Sequence, residues 1–110
     1  MAIVHIVTFE FKSKATDEQI AEVCKNMLAL KDKCLDPSTQ KPYLKSGIGG
    51  INNSPEGQSG GSTHVFVSEF ENEADRKYYL EQDPVHLAFV KSLGDIMERV
   101  RVVDFTPGVF

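Results

Sequence analysis

Apolar residues alternate with others from the start of the chain. Ile3, His5, Val7, Phe9 and Phe11 share one face of an extended segment over residues 2–12, and Val4, Ile6, Thr8 and Glu10 share the other. Both faces begin apolar, so both are expected to be covered. The period then changes. In "KATDEQIAEVCKNMLALKDKCL", Ile20, Val23, Cys24, Met27, Leu30 and Cys34 recur at helical spacing, and Thr16 with Gln19 forms a capping box ahead of them. Asp36-Pro37 stops this helix, because the residue before proline disfavours helical geometry.

A second strand is expected over Tyr43 to Ile51, followed by the turn-forming stretch "GGINNSPEGQSGGS". "GIGGIN" lacks the spacing of a nucleotide-binding glycine loop and reads as the approach to a surface hairpin. "STHVFVSEFE" is a third strand with His64, Phe66, Ser68 and Phe70 on one face. "NEADRKYYLEQ" predicts a short helix capped by Asn72, and Asp83 caps another with Pro84 at its first position. Val85, Ala88, Phe89, Leu93, Ile96 and Met97 are expected on the buried side of that last helical segment. "RVRVVDF" closes the chain's regular structure as a fourth strand.

The element order is β-α-β-β-α-β, an α+β split βαβ arrangement with an antiparallel four-stranded sheet and helices on one side. Residues 1–110 are expected to form a single domain, since domains commonly run to about 100–150 residues. With 41% hydrophobic and 25% charged residues, the chain has the balance of an ordered globular protein. One sheet face stays bare in this plan, and its apolar residues call for a second copy, hence a two-fold homodimer. The first and third strands are expected side by side and parallel, which would bring His5 and His64 together at one end of the sheet.

Charge narrows the partners. A net charge of −4, with Lys and Arg scattered among acids, argues against nucleic acid. No run of about 18 apolar residues is present to span a membrane. The N-terminus lacks the features of a signal peptide, so a cytoplasmic protein is expected. Cys24 and Cys34 lie in one helical stretch, about 15 Å apart along a continuous helix at 1.5 Å per residue, too far for a disulfide.

The blocks "HIVTFEFK", "GSTHVFVSEFE", "YYLEQDPVHLAFV" and "VVDFTPGVF", in this order over nearly the whole chain, resemble the stress-responsive α/β-barrel family of dimeric α+β barrel proteins, closest to its fungal branch. The resemblance implies a ferredoxin-like βαββαβ protomer whose sheet packs on a twin to close a barrel around a cavity. It also implies that the tail "DFTPGVF" helps clamp the dimer. Most members have no assigned reaction, but one plant member is a polyketide cyclase that closes a linear poly-β-ketone by an aldol step. Its working histidine lies in a Pro-x-His block that "DPVH" matches at His86, its first-strand histidine matches His5, and its Thr-His pair matches Thr63-His64. The cyclase's pocket tyrosine falls by plain counting at Leu80, with Tyr78 and Tyr79 adjacent, and a second tyrosine is replaced by Met27.

These residues suit proton transfer. Imidazole titrates near neutral pH, and His86 at the third residue of its helix meets the positive end of the helix dipole, which disfavours imidazolium by about 0.3–1 kcal/mol. A tyrosine hydroxyl would orient the ring or stabilise an enolate. The expected catalytic set is therefore His86, Tyr79 and His5, and the expected ligand-binding set is His64, Val7, Phe9, Phe66, Tyr78 and Phe89. The alternative for His86 is a first-turn residue lining a pocket without turnover, and for His5 and His64 a hydrogen-bonded core histidine. No metal is expected, because no histidine pair has metal-ligand spacing, and no cofactor motif is present. The primary expectation is a protein that binds a small apolar or aromatic molecule in its barrel cavity. The first alternative is a cofactor-free cyclase or lyase acting on a polyketide-like molecule, and the second is a scaffold without ligand.

Overall fold

The computed structural model describes residues 2–110. Strand β1 (Ile3–Phe11) leads into helix α1 (Asp17–Lys33), then β2 (Ser46–Ile51), β3 (His64–Phe70), α2 (Glu73–Glu81), α3 (Pro84–Ser92) and β4 (Met97–Phe105). The four strands form one sheet in the order β2-β3-β1-β4, with every neighbouring pair antiparallel. This is a ferredoxin-like α+β fold.

Local chemistry accounts for the helix ends. Thr16 Oγ1 accepts from the Gln19 amide while Gln19 Oε1 accepts from the Thr16 amide, so two otherwise unpaired N–H groups are satisfied. Asn72 caps α2 through the Asp75 amide. The second strand is shorter than its sequence suggests and begins at Ser46, because Tyr43 is drawn out to a buried hydrogen bond and Leu44 turns into the core. Ala88, expected on the buried side of α3, is exposed, and Met97 belongs to β4.

The pairing of β1 with β3 corrects the expected parallel arrangement. Helix α1 carries the chain back across the sheet, so β2 runs parallel to β1, and the β2–β3 hairpin reverses it. Strand β3 sits between them and must oppose both. His5 therefore faces Ser68, and His64 faces Phe9, four residues along β1. At about 3.3 Å per residue the two histidines are roughly 13 Å apart along the strand, at opposite ends.

Alternation sorts the sheet into two faces. Ile3, His5, Val7 and Phe9 point to the helices and are buried with Phe66, Phe70, Val23, Leu30, Leu44, Tyr79 and Phe89. The opposite face has no helix over it. There Ile48, Val67, Ile6 and Val103 form an apolar row across all four strands, with Ile48 65% and Val103 61% exposed. One end of that face is polar. Arg101 donates to Ser62 Oγ and to the Gly60 carbonyl, Ser62 Oγ donates to Thr8 Oγ1, and Glu10 lies beside both Arg99 and Arg101.

Close packing at the β2 edge depends on glycine. A Cβ on Gly49 would lie 2.3 Å from Cδ1 of Phe66 and 2.7 Å from the Val65 carbonyl oxygen. Gly47 likewise admits the Lys31 stem of α1. Gly49→Val is expected to lower stability by about 1–3 kcal/mol through overpacking. Chemical denaturation checks this, and a wild-type midpoint with an unchanged slope would contradict it.

Candidate functional site

The chain between Leu80 and His86 is organised by a buried carboxyl group. Asp83 is 1% exposed, and Oδ1 accepts from the amides of Val85 and His86 as the cap of α3. Its Oδ2 accepts from the Tyr43 hydroxyl at 2.6 Å. Burial and the bond to Asp83 raise the pKa of Tyr43, which keeps its hydroxyl a donor. Cys34 is fully buried beside the same group, and burial followed by the Asp83 charge pushes its thiol up to about 12. That thiol is inert at neutral pH.

Pro84 at the first helical position fixes the direction of α3 and leaves His86 in its first turn, half-buried. His86 Nδ1 lies 2.8 Å from the Tyr79 carbonyl oxygen. A carbonyl only accepts, so Nδ1 carries the proton and Nε2 holds a lone pair. Burial lowers the His86 pKa, the Tyr79 carbonyl and Asp83 oppose that shift, and His5 adds to it. The Tyr79 ring stacks on the imidazole with centroids 3.8 Å apart and planes at 24°. Tyr79, not Tyr78, is thus the tyrosine that reaches His86. Burial raises the Tyr79 hydroxyl well above its ordinary value.

His5 extends the group. Its ring is 6.0 Å from Tyr79 and 5.4 Å from Phe70, and its Nδ1 donates to Asp104 Oδ1 at 2.6 Å. Arg76 of α2 donates to the other oxygen of Asp104 at 3.2 Å. An Arg76–Asp104–His5 chain therefore leads in from the surface toward Tyr79 and His86. The space beside Tyr79 is small. A cavity of about 10 Å³, close to one water in size, lies between Tyr79, Leu30, Leu44 and Phe66.

A second feature lies at the other end of the helix layer. An apolar cleft of about 340 Å³ opens between α1, the β2 edge and the start of β3, with Ile20, Cys24, Ile51 and Phe66 in its walls and His64 on its floor. Gly49 lets the Phe66 ring lie flat over the strand as one wall, and Ile51 and His64, which share the helix side of the sheet, form the others. Burial lowers the His64 pKa. The Phe11 ring meets the His64 ring edge-on at 5.2 Å.

The expected site residues thus fall into separate places. His86, Tyr79 and His5 come together, and His64 and Phe66 line the cleft. Val7, Phe9 and Phe89 are packed in the core, and Tyr78 packs against Tyr43 with ring centroids 5.7 Å apart. His5, Val7, Phe9 and Phe66 all face the helices, so they do not line the bare sheet face that a twin would cover. Sequence reasoning missed Asp104, Arg76 and Tyr43 as partners. Asp104 was visible as the carboxylate set into the apolar end of β4, between Val103 and Phe105. Arg76 and Tyr43 carried no local signal. Among the described residues, no three His, Cys, Asp or Glu side chains converge to hold a metal, and no helix is long and apolar enough to cross a membrane.

The family model for the stress responsive A/B barrel domain matches residues 3–107, from the first residue of β1 to beyond the end of β4. Among solved structures, the chain is similar to the At3g17210 protein of Arabidopsis thaliana, with 26% identity and a TM-score of 0.81 over 98% of this chain and 97% of that one. It is similar to a hydroxynitrile lyase from Passiflora edulis, with 24% identity and a TM-score of 0.80 over 99% of this chain and 96% of that one. A dimeric protein of unknown function and ferredoxin-like fold from Bacteroides fragilis gives 25% identity and a TM-score of 0.67 over 94% of each chain. No curated protein matches. The alternating strands, the single helix layer and the match from Ile3 to Pro107 lead to one conclusion: the chain belongs to the stress responsive A/B barrel domain family.

Proposed function

We propose that this protein is a homodimer that holds a small apolar or aromatic molecule in the cleft between α1 and the β2–β3 edge. One observation carries the reading: an apolar cleft of about 340 Å³, within the common range of small-molecule sites, with a single imidazole on its floor. The cleft lies on the helix side of the sheet, so this reading seats the ligand there and not in the barrel interior that the family resemblance implies. Pairing of two copies through the bare face is supported by the Ile48–Val67–Ile6–Val103 row, and the similar protein from Bacteroides fragilis is described as dimeric. Covering that row removes apolar surface from water.

A second reading rests on the protonation of His86. An imidazole held as the Nδ1–H form, with its pKa lowered, keeps Nε2 ready to accept a proton, which suits a cofactor-free lyase or cyclase. Tyr79 would hold the ring in place, and the Passiflora edulis protein shows a lyase on the same fold. The 10 Å³ cavity beside Tyr79 has no room for a substrate, so the reaction would take place at the exposed side of His86. Binding in the cleft uses space already present beside His64 and ranks first.

Two experiments separate the readings. Toluene titrated into the ¹⁵N-labelled protein is expected to shift the amides of Gly49, Gly50 and Ile51, and Ala21→Trp, which fills the cleft mouth, is expected to abolish those shifts in a folded dimer. Equal shifts in the variant would remove the cleft reading. For the second reading, His86→Gln should cut turnover of a poly-β-ketone or cyanohydrin by about 10²–10⁴-fold with the dimer intact. The wild-type rate should be constant at neutral pH and fall in acid, through a pKa below the ordinary 6.5, as Nε2 takes up a proton. Turnover that survives in His86→Gln would end the proton-transfer reading.

A further inference from the structure

We infer that the cleft selects neutral ligands that donate a hydrogen bond, phenols above all, over ethers and carboxylates. This rests on the cleft reading and names its ligand class. The reasoning starts at Thr63, one residue before β3. Its Oγ1 lies 3.2 Å from the Phe9 carbonyl oxygen and 2.8 Å from His64 Nδ1. A hydroxyl has one proton to give, and a carbonyl only accepts. Both contacts are hydrogen bonds in one arrangement alone: Thr63 donates to Phe9, and His64 Nδ1–H donates to Thr63. The imidazole is then fixed with its lone pair on Nε2, the ring nitrogen without a partner among the described residues.

The remaining polar character of the cleft has the same sense. Asp17, in the first turn of α1, lines the cleft with a carboxylate, another acceptor, and no Lys or Arg lines it. Burial favours neutral His64, so no cation is on hand for an anionic ligand. A carboxylate entering here meets two acceptors and an apolar wall, and would lose its hydration without a replacement. A methyl ether offers no proton to Nε2. A phenol supplies one, and its ring packs on Phe66, which is held flat over Gly49. A site built with an unpaired acceptor rejects ligands that cannot donate to it.

The test uses 4-propylphenol, 4-propylanisole and 4-propylbenzoate, titrated into the full-length protein and followed at the Gly49 and Gly50 amides and at the His64 ring nitrogens. The phenol is expected to bind at least about tenfold more tightly than the anisole, and the benzoate most weakly. In the free protein, His64 Nε2 should resonate as an unprotonated nitrogen and move on phenol binding. His64→Phe should make phenol and anisole equal while both still bind. Thr63→Val, which frees the tautomer without altering the cleft wall, should shrink the preference and guards against a misfolded His64 variant. Equal affinities in the wild type, tightest binding of benzoate, or a protonated Nε2 in the free protein would each overturn the inference while leaving the cleft reading in place. Absence of any shift at Gly49 and Gly50 with all three probes would overturn both.

Discussion

A carboxyl group buried at the start of a helix governs the arrangement around it. Asp83 has almost no solvent contact, and a buried polar group is tolerable only when its hydrogen bonds are made. The amides of Val85 and His86 supply two, and the Tyr43 hydroxyl supplies a third. Tyr43 belongs to the connection between α1 and β2, so Asp83 ties that connection to α3. The tie has two consequences. It delays the start of β2, because Tyr43 cannot both reach Asp83 and belong to the strand. It also sets the first turn of α3 against the end of α2, where His86 meets the carbonyl and ring of Tyr79.

The sheet supplies the other constraint, its one-sidedness. Period-two alternation sends His5, Val7, Phe9, Phe66 and Phe70 toward the helices and leaves the Ile48–Val67–Ile6–Val103 row facing outward. On the helix side the edge strand presents Gly47 and Gly49 where a larger residue would otherwise sit. Gly47 allows α1 to approach closely. Gly49 lets the Phe66 ring lie across the strand, and beyond it Ile51 rises toward Ile20 and Cys24. The cleft lies between the Phe66 ring, Ile51 and α1, a helix that Gly47 lets approach only as far as the Lys31 stem.

Much of this was readable from the residues alone, and the failures have a common cause. Thr16 with Gln19, Asn72, and Asp83 with Pro84 announced three helix starts, because capping is a property of neighbouring residues. Alternation assigned His5, Phe66 and Ser68 to their face correctly. It carried no information about strand direction, since a period of two reads the same both ways. The expected meeting of His5 and His64 failed on that point, and it took the β2–β3 hairpin to set β3 against β1. Tyr79 was expected as the partner of His86, but spacing alone could not separate it from Tyr78. A helical count cannot be carried from Tyr79 to His86, because the helix breaks at Gln82 and Asp83 between them. His5 found Asp104 through pairing of strands nearly a whole chain apart, and no local pattern reports such a contact.

The two imidazoles share one device and differ in their surroundings. His86 gives its Nδ1 proton to a backbone carbonyl, and His64 gives its own to Thr63 Oγ1, so each is left with a lone pair on Nε2. His86 has the polar company that proton transfer uses, with Tyr79 stacked on it and the Arg76–Asp104–His5 chain nearby, but the cavity beside that group holds about one water. His64 has the space and lacks the company. The two spaces have Phe66 and Leu28 in common in their walls. Phe66 is gripped by Gly49 beneath it and by Phe9, whose ring centroid is 5.4 Å away. That grip keeps the cleft shallow and stops a molecule seated against His64 from reaching Tyr79. A family member with a smaller residue at the position of Phe66 would open one space into the other, joining a ligand cleft to a proton acceptor without any change in the fold.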